Sequence, residues 1–166
     1  MLFIPTNTKL LHYIETATKY LACTINCEKT SNCRGYTIYA GLADNLVLNC
    51  EASGACEYLY LAEGPKVSAE INCNIPDYLV DDVIGDDDAE WDYRYLCRRA
   101  VFDLTGTPNF NIRCYNGDND LSTVTSVNQD RGSCSELTVI TDQGTSMATI
   151  ECADRYNCYD ATFHLS

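Results

Sequence analysis

The eleven cysteines of this 166-residue chain are the side chains with the most chemistry to offer, and their spacing is regular. Cys27, Cys50 and Cys73 stand 23 residues apart, and Cys33 and Cys56, the second members of their C-x5-C pairs, keep the same interval. The residues before them repeat too: Ile25-Asn26-Cys27, Leu48-Asn49-Cys50 and Ile71-Asn72-Cys73. After each second cysteine, 16 residues lead to the next first one, from Cys33 to Cys50, Cys56 to Cys73 and Cys97 to Cys114. Cys134 to Cys152 is one residue longer, and Cys152 and Cys158 restore C-x5-C. Thiols can bind zinc, attack as nucleophiles or cross-link. Zinc sites favour C-x2-C pairs or nearby histidines, and this repeat has neither. The two histidines, His12 and His164, sit near opposite ends, so no Cys-His or Ser-His-Asp arrangement can be argued.

Cross-linking is the reading that remains. The variable lengths fall between the two members of a pair, so bridges Cys27–Cys33, Cys50–Cys56, Cys73–Cys97, Cys114–Cys134 and Cys152–Cys158 would pinch the base of each excursion. Cys23 is left over, four residues before Cys27, where later repeats carry Leu46, Ala69, Phe110 and Ala148. It is expected to be a free thiol acting as a small hydrophobe in the core; a reactive or intermolecular thiol is the alternative.

Carboxylates are the second chemistry. The insertion at 74–96 carries Asp77, Asp81, Asp82, Asp86, Asp87, Asp88, Glu90 and Asp92, and that at 115–133 carries Asp118, Asp120 and Asp130. Clustered oxygen ligands suit Ca²⁺, with Asp86, Asp88, Glu90, Asp118 and Asp120 as the candidates. Neither loop has EF-hand or nonapeptide spacing, so the expectation is a solvated acidic surface with no cofactor, Ca²⁺ being the alternative.

The elements that would carry these groups are short strands. Counting from the second cysteine, apolar pairs recur at Tyr36/Ile38, Leu59/Leu61, Ala100/Phe102, Leu137/Val139 and Ala161/Phe163. Counting back from the first cysteine gives Leu46/Leu48, Ala69/Ile71, Phe110/Ile112 and Ala148/Ile150. This alternation is the period of a strand with one buried face. Gly41, Gly64, Gly106 and Gly144 mark the turns between strands. A two-strand unit cannot bury its face alone, so the units must stack. The expected fold is all-β: a disulfide-braced, right-handed parallel β-solenoid of about five coils, with two insertions at one corner. Residues 1–9 are expected to be an N-terminal extension, either a docking tip or a strand or cap covering the first coil, and 10–166 a single solenoid domain. Asn26, Asn49 and Asn72 should stack as a polar ladder. Outward positions of the first strands, with Tyr39, Tyr58, Tyr60 and Ile140, form a face poor in charge that suits lateral contact or sugar.

Eleven cysteines place the chain in an oxidising compartment, outside the cell or at its surface. No secretory leader is visible in residues 1–27, so the sequence reads as a mature chain or a segment of a longer one. No apolar run approaches the length of a membrane span. A net charge of −13 argues against nucleic acid, whose phosphates need a basic partner. After Cys158 one more first strand follows, with Ala161, Phe163 and Leu165, and no polar cap covers it. The apolar tip Met1, Leu2, Phe3, Ile4 and Pro5 could dock there from another copy, giving a head-to-tail homopolymer.

The run Asn49-Cys50-Glu51-Ala52-Ser53-Gly54-Ala55-Cys56 resembles the cysteine-punctuated β-helix repeats of secreted and surface proteins of algae and other protists. The resemblance spans most of residues 23–166 and weakens in the two coils with insertions. It implies an extracellular matrix, adhesive or filament role and supplies no catalytic residues. The leading expectation is therefore a structural subunit of an extracellular filament or surface layer. The alternative is a carbohydrate-binding or adhesin module that meets extracellular glycans. A polysaccharide-degrading enzyme is disfavoured, because Glu70 and Asp103 fall on different strands and no convergent pair of carboxylates is in view.

Overall fold

The computed structural model describes residues 21–74, 95–115, 132–153 and 157–165. They hold ten strands: β1 Ala22–Cys27, β2 Thr37–Tyr39, β3 Asn45–Cys50, β4 Tyr60–Glu63, β5 Ser68–Asn74, β6 Val101–Asp103, β7 Asn109–Tyr115, β8 Thr138–Thr141, β9 Met147–Cys152 and β10 Thr162–Leu165. The described residues contain no helix. Alternate strands go to alternate sheets, β1-β3-β5-β7-β9 in one and β2-β4-β6-β8-β10 in the other. Every neighbouring pair is parallel. One strand from each sheet, with the bridge between them, makes one repeat.

Cysteine spacing sets the register of the odd-numbered sheet. Cys27, Cys50, Cys73, Cys114 and Cys152 lie opposite one another from strand to strand, and so do Ile25, Leu48, Ile71, Ile112 and Ile150. A slip of one residue would turn each apolar column outward, which is why the register is well specified. Leu48, Ile71 and Ile112 are fully buried, as are Leu61 and Phe102 on the other sheet. Buried side chains of both sheets belong to a single cluster, so the sheets share one core.

Two departures from the alternation matter. Register shifts between Ile38 and Tyr39, so Tyr39 pairs with Glu63 rather than Ala62. The apolar columns also stop being buried at the last repeat. Ala148 is exposed, Ile150 and Ala161 are half-buried, and Phe163 keeps 41% of its surface in solvent. The sequence pattern treats these residues like their counterparts, but among the described residues β9 and β10 are each paired on one edge only.

The turn after β4 depends on glycine for close approach. A Cβ on Gly64 would run into Thr107 Oγ1 and the Leu104 backbone. Thr107 is buried and its hydroxyl donates to Pro65 O at 2.8 Å, so this turn is locked to the next repeat.

Candidate functional site

The opposite corners hold the bridges. Cys27–Cys33, Cys50–Cys56, Cys73–Cys97, Cys114–Cys134 and Cys152–Cys158 are joined, with Cα–Cα distances of 5.9–6.0 Å. Bridges closing 6 residues and bridges closing 24 or 20 share the same geometry, so the insertions leave the corner unchanged. Where three sulfurs of neighbouring bridges come within reach of one another, as at Cys27, Cys50 and Cys56, all three are already oxidised in disulfides. Cys23 is free, lies opposite Leu46 on the inner column and is half-buried. Burial pushes its thiol pKa up, which lowers its reactivity.

Two residues past the second cysteine, each repeat adopts a left-handed backbone: Gly35, Tyr58, Arg99, Glu136 and Asp160, with φ between 53° and 68°. Four of these five are not glycine, an uncommon concentration of this conformation. Backbone bonds between repeats hold them in place: Gly35 N–H to Glu57 O, Tyr58 N–H to Arg98 O, Arg99 N–H to Ser135 O and Glu136 N–H to Tyr159 O. The column thereby places a run of side chains along the outside of the corner. Arg99 donates through Nε to Glu136 Oε2 at 2.8 Å and through Nη1 to Tyr58 Oη at 2.9 Å. Arg98 adds a second contact to Glu136 at 3.4 Å, and Arg34 pairs with Glu57 at 3.0 Å. The Arg99 hydrogen bond holds the Glu136 carboxyl below the usual carboxylate range.

At this corner Tyr58, exposed like Tyr60, stands beside two guanidinium groups. The guanidinium carbons of Arg34 and Arg99 lie 5.8 and 5.7 Å from its ring centroid. Tyr60 is exposed on β4, and Tyr39 and Ile140 are half-buried on β2 and β8. Tyr39, Glu63 and the aligned Asp103, Ile140 and His164 occupy neighbouring outward rows, so charge does reach this face.

The outer face of the odd-numbered sheet is polar. Asn49 Nδ2 donates to Asn26 Oδ1 at 2.8 Å, and Asn72 Nδ2 to Asn49 Oδ1 at 2.9 Å, so the amide ladder forms with a single direction. In the next two strands Arg113 and Glu151 take the asparagine position. Arg113 bonds Glu70 at 3.1 Å and reaches Glu151 at 3.5 Å, while Tyr115 Oη donates to Glu151 Oε2 at 2.6 Å. That bond raises the Tyr115 hydroxyl pKa. The repeated Asn-Cys signals the ladder, whereas nothing in the spacing signals this charged continuation.

At the last repeat, Phe163 and Leu165 are exposed on β10 and Met147 is exposed on β9. Thr162 N–H bonds Leu137 O. In a parallel pair successive residues address opposite neighbours, so the Phe163 and Leu165 amides point off the free edge. Glu70 on β5 and Asp103 on β6 belong to different sheets. Met1 to Pro5, His12, Asp86, Asp88, Glu90, Asp118 and Asp120 lie outside the described residues. Among the described residues no helix is long and apolar enough to cross a membrane. Compared with protein-family models, with curated proteins and with solved structures, the chain matches none.

Proposed function

We propose that the chain is a structural subunit of an extracellular filament or surface layer: a right-handed parallel β-solenoid whose copies stack end to end. Alternating assignment of strands to two parallel sheets, in one cysteine register, supports the solenoid; parallel crossovers strongly prefer the right hand. Five disulfides suit an oxidising compartment. The reading is of a non-enzymatic part, since Glu70 is committed to Arg113 and Asp103 accepts from Thr105 N–H.

The observation that carries the assembly is the last repeat. Among the described residues it offers two parallel strand edges with no partner, with Met147, Phe163 and Leu165 exposed beside them at 61, 41 and 77%. Unpaired strand edges with apolar side chains are templates for a further strand. The occupant in this proposal is the N-terminal end of a second copy, to which the apolar tip Met1 to Pro5 belongs. Cys152–Cys158 and Cys27–Cys33 both close 6 residues, so the first repeat of that copy has the corner needed to continue the last. The amide ladder runs with each Nδ2 directed toward the first repeat, and its column ends in the Glu151 carboxylate at the other. A donor end therefore faces an acceptor end when copies stack head to tail. A contact of this kind that does not close produces a filament.

Negative-stain microscopy of non-reduced protein, beside a copy lacking residues 1–9, tests the proposal. Filaments that disappear on truncation are expected. Uniform monomers in both samples would overturn it.

A further inference from the structure

Sulfurs of neighbouring bridges approach one another at three places among the described residues, each time with one cysteine of a repeat facing both cysteines of the next. At two of them all three cysteines are buried. The third, where Cys114 meets Cys152 and Cys158, joins opposite environments. Cys114 is 0% exposed, as is its partner Cys134, whereas Cys152 is exposed and Cys158 half-buried. A thiol in solvent can therefore reach the outer bridge but not the inner one.

The backbone holds these sulfurs together. Cys152 lies directly opposite Cys114 in the register of β7 and β9. Ala153 N–H donates to Cys114 O at 3.2 Å, the Asn157 side-chain amide donates to the same oxygen at 2.9 Å, and Cys158 N–H donates to Ser133 O at 3.1 Å. Within this frame the Sγ atoms of Cys114, Cys152 and Cys158 all lie within 4.8 Å of one another. Opposed residues of parallel strands have Cα atoms about 4.8 Å apart, inside the range that a disulfide spans. A Cys114–Cys152 bridge thus needs no change of register. Among the described residues β9 is paired on one edge only, so it can close toward β7 without disturbing another strand.

We propose that Cys152–Cys158 is a point of attack for small thiols and passes that attack inward to the buried Cys114–Cys134 bridge. A thiolate such as that of glutathione attacks Cys158 Sγ. The Cys152–Cys158 bond breaks, a mixed disulfide forms on Cys158, and Cys152 leaves as a thiolate. The Cys152 thiolate then attacks Cys114 Sγ. A Cys114–Cys152 bond forms, the Cys114–Cys134 bond breaks, and Cys134 leaves as a thiolate that takes a proton from water. Each step breaks one S–S bond and makes one, so no oxidant is consumed. The result is a redox switch at the end of the stack: the ring of chain closed by Cys114–Cys134 opens while β7 and β9 become cross-linked. The relay runs within one chain and does not depend on end-to-end assembly.

The test uses the full chain in dilute solution, so that no second copy covers the outer bridge. Cys158→Ser leaves Cys152 as a thiol beside Cys114 and needs no added reductant. After incubation at about pH 8 and alkylation, non-reducing peptide mapping is expected to find a Cys114–Cys152 peptide and alkylated Cys134 in about a tenth or more of the molecules. In a glutathione buffer, Cys134 of the unsubstituted chain should be alkylated about tenfold or more faster than in Cys152→Ser/Cys158→Ser, which has no sulfur to carry the attack inward. Alkylation of Cys152 in Cys158→Ser with Cys114–Cys134 intact would overturn the proposal. So would equal labelling rates at Cys134 in the unsubstituted chain and the double variant, or links from Cys134 to Cys27, Cys50 and Cys73 alike, which mark general scrambling.

Discussion

The third and the fifth repeats are built on the same pattern but occupy different physical situations. In the third, Ile71, Cys73, Cys97, Ala100 and Phe102 are all fully buried. In the fifth, the aligned Ile150 and Ala161 are half-buried, and Cys152 and Phe163 are exposed. A residue's place in the pattern therefore does not by itself decide its burial. That is the behaviour of a nearest-neighbour array, where an end unit lacks one interface.

The largest effect should come from the core itself. Phe102→Ala removes a fully buried ring and is expected to cost about 3–5 kcal/mol, whereas Phe163→Ala in the monomer should stay within about 0.5 kcal/mol. Urea unfolding of both variants measures the gap, and equal costs would break the comparison. Replacing Cys73 and Cys97 together by serine is expected to cost about 3.5 kcal/mol from loop closure, against about 2.4 for Cys152 and Cys158. Access sharpens this pair further. Brief treatment with a mild reductant followed by alkylation and peptide mapping should label Cys152 and Cys158 well before Cys73 and Cys97, which are 0% exposed.

Smaller effects lie on the polar surfaces. Asn49→Ala breaks two ladder bonds and should cost about 1–2 kcal/mol in thermal or urea melts. Glu136→Gln is expected to do less, because its partners Arg98 and Arg99 are partly exposed and screened. Its sign is fixed by the depressed carboxyl pKa. The contribution is present above the ordinary carboxylate range and is lost as the pH falls through the folded-state value. Melts of the two proteins should therefore differ slightly at pH 7 and coincide at about pH 2.

Much of this architecture is legible in the spacing of the cysteines. A constant interval outside each pair and a variable one inside it point to the bridges, and the apolar alternation points to the inner columns from Leu46 to Val139. Other parts are hidden for identifiable reasons. The left-handed backbone at Tyr58, Arg99, Glu136 and Asp160 defies the preference for glycine, and only Gly35 in the same column hints at it. Glu136 lies 37 residues from Arg99, and the insertion between them conceals their common place in the repeat. Neither composition nor period distinguishes Asn111, whose buried Oδ1 has no hydrogen-bond partner, from Asn49, whose bonds are made within the ladder. The exposure of Phe163 is a property of position in the stack, and its alternating neighbours look like any other strand.

The proposed assembly rests on a second copy covering the last repeat, and amide hydrogen exchange reads that cover directly. The Phe163 and Leu165 amides should be protected in concentrated, non-reduced protein and exchange rapidly on dilution, while Phe102 stays protected throughout. Rapid exchange at Phe163 and Leu165 at every concentration would contradict end-to-end stacking.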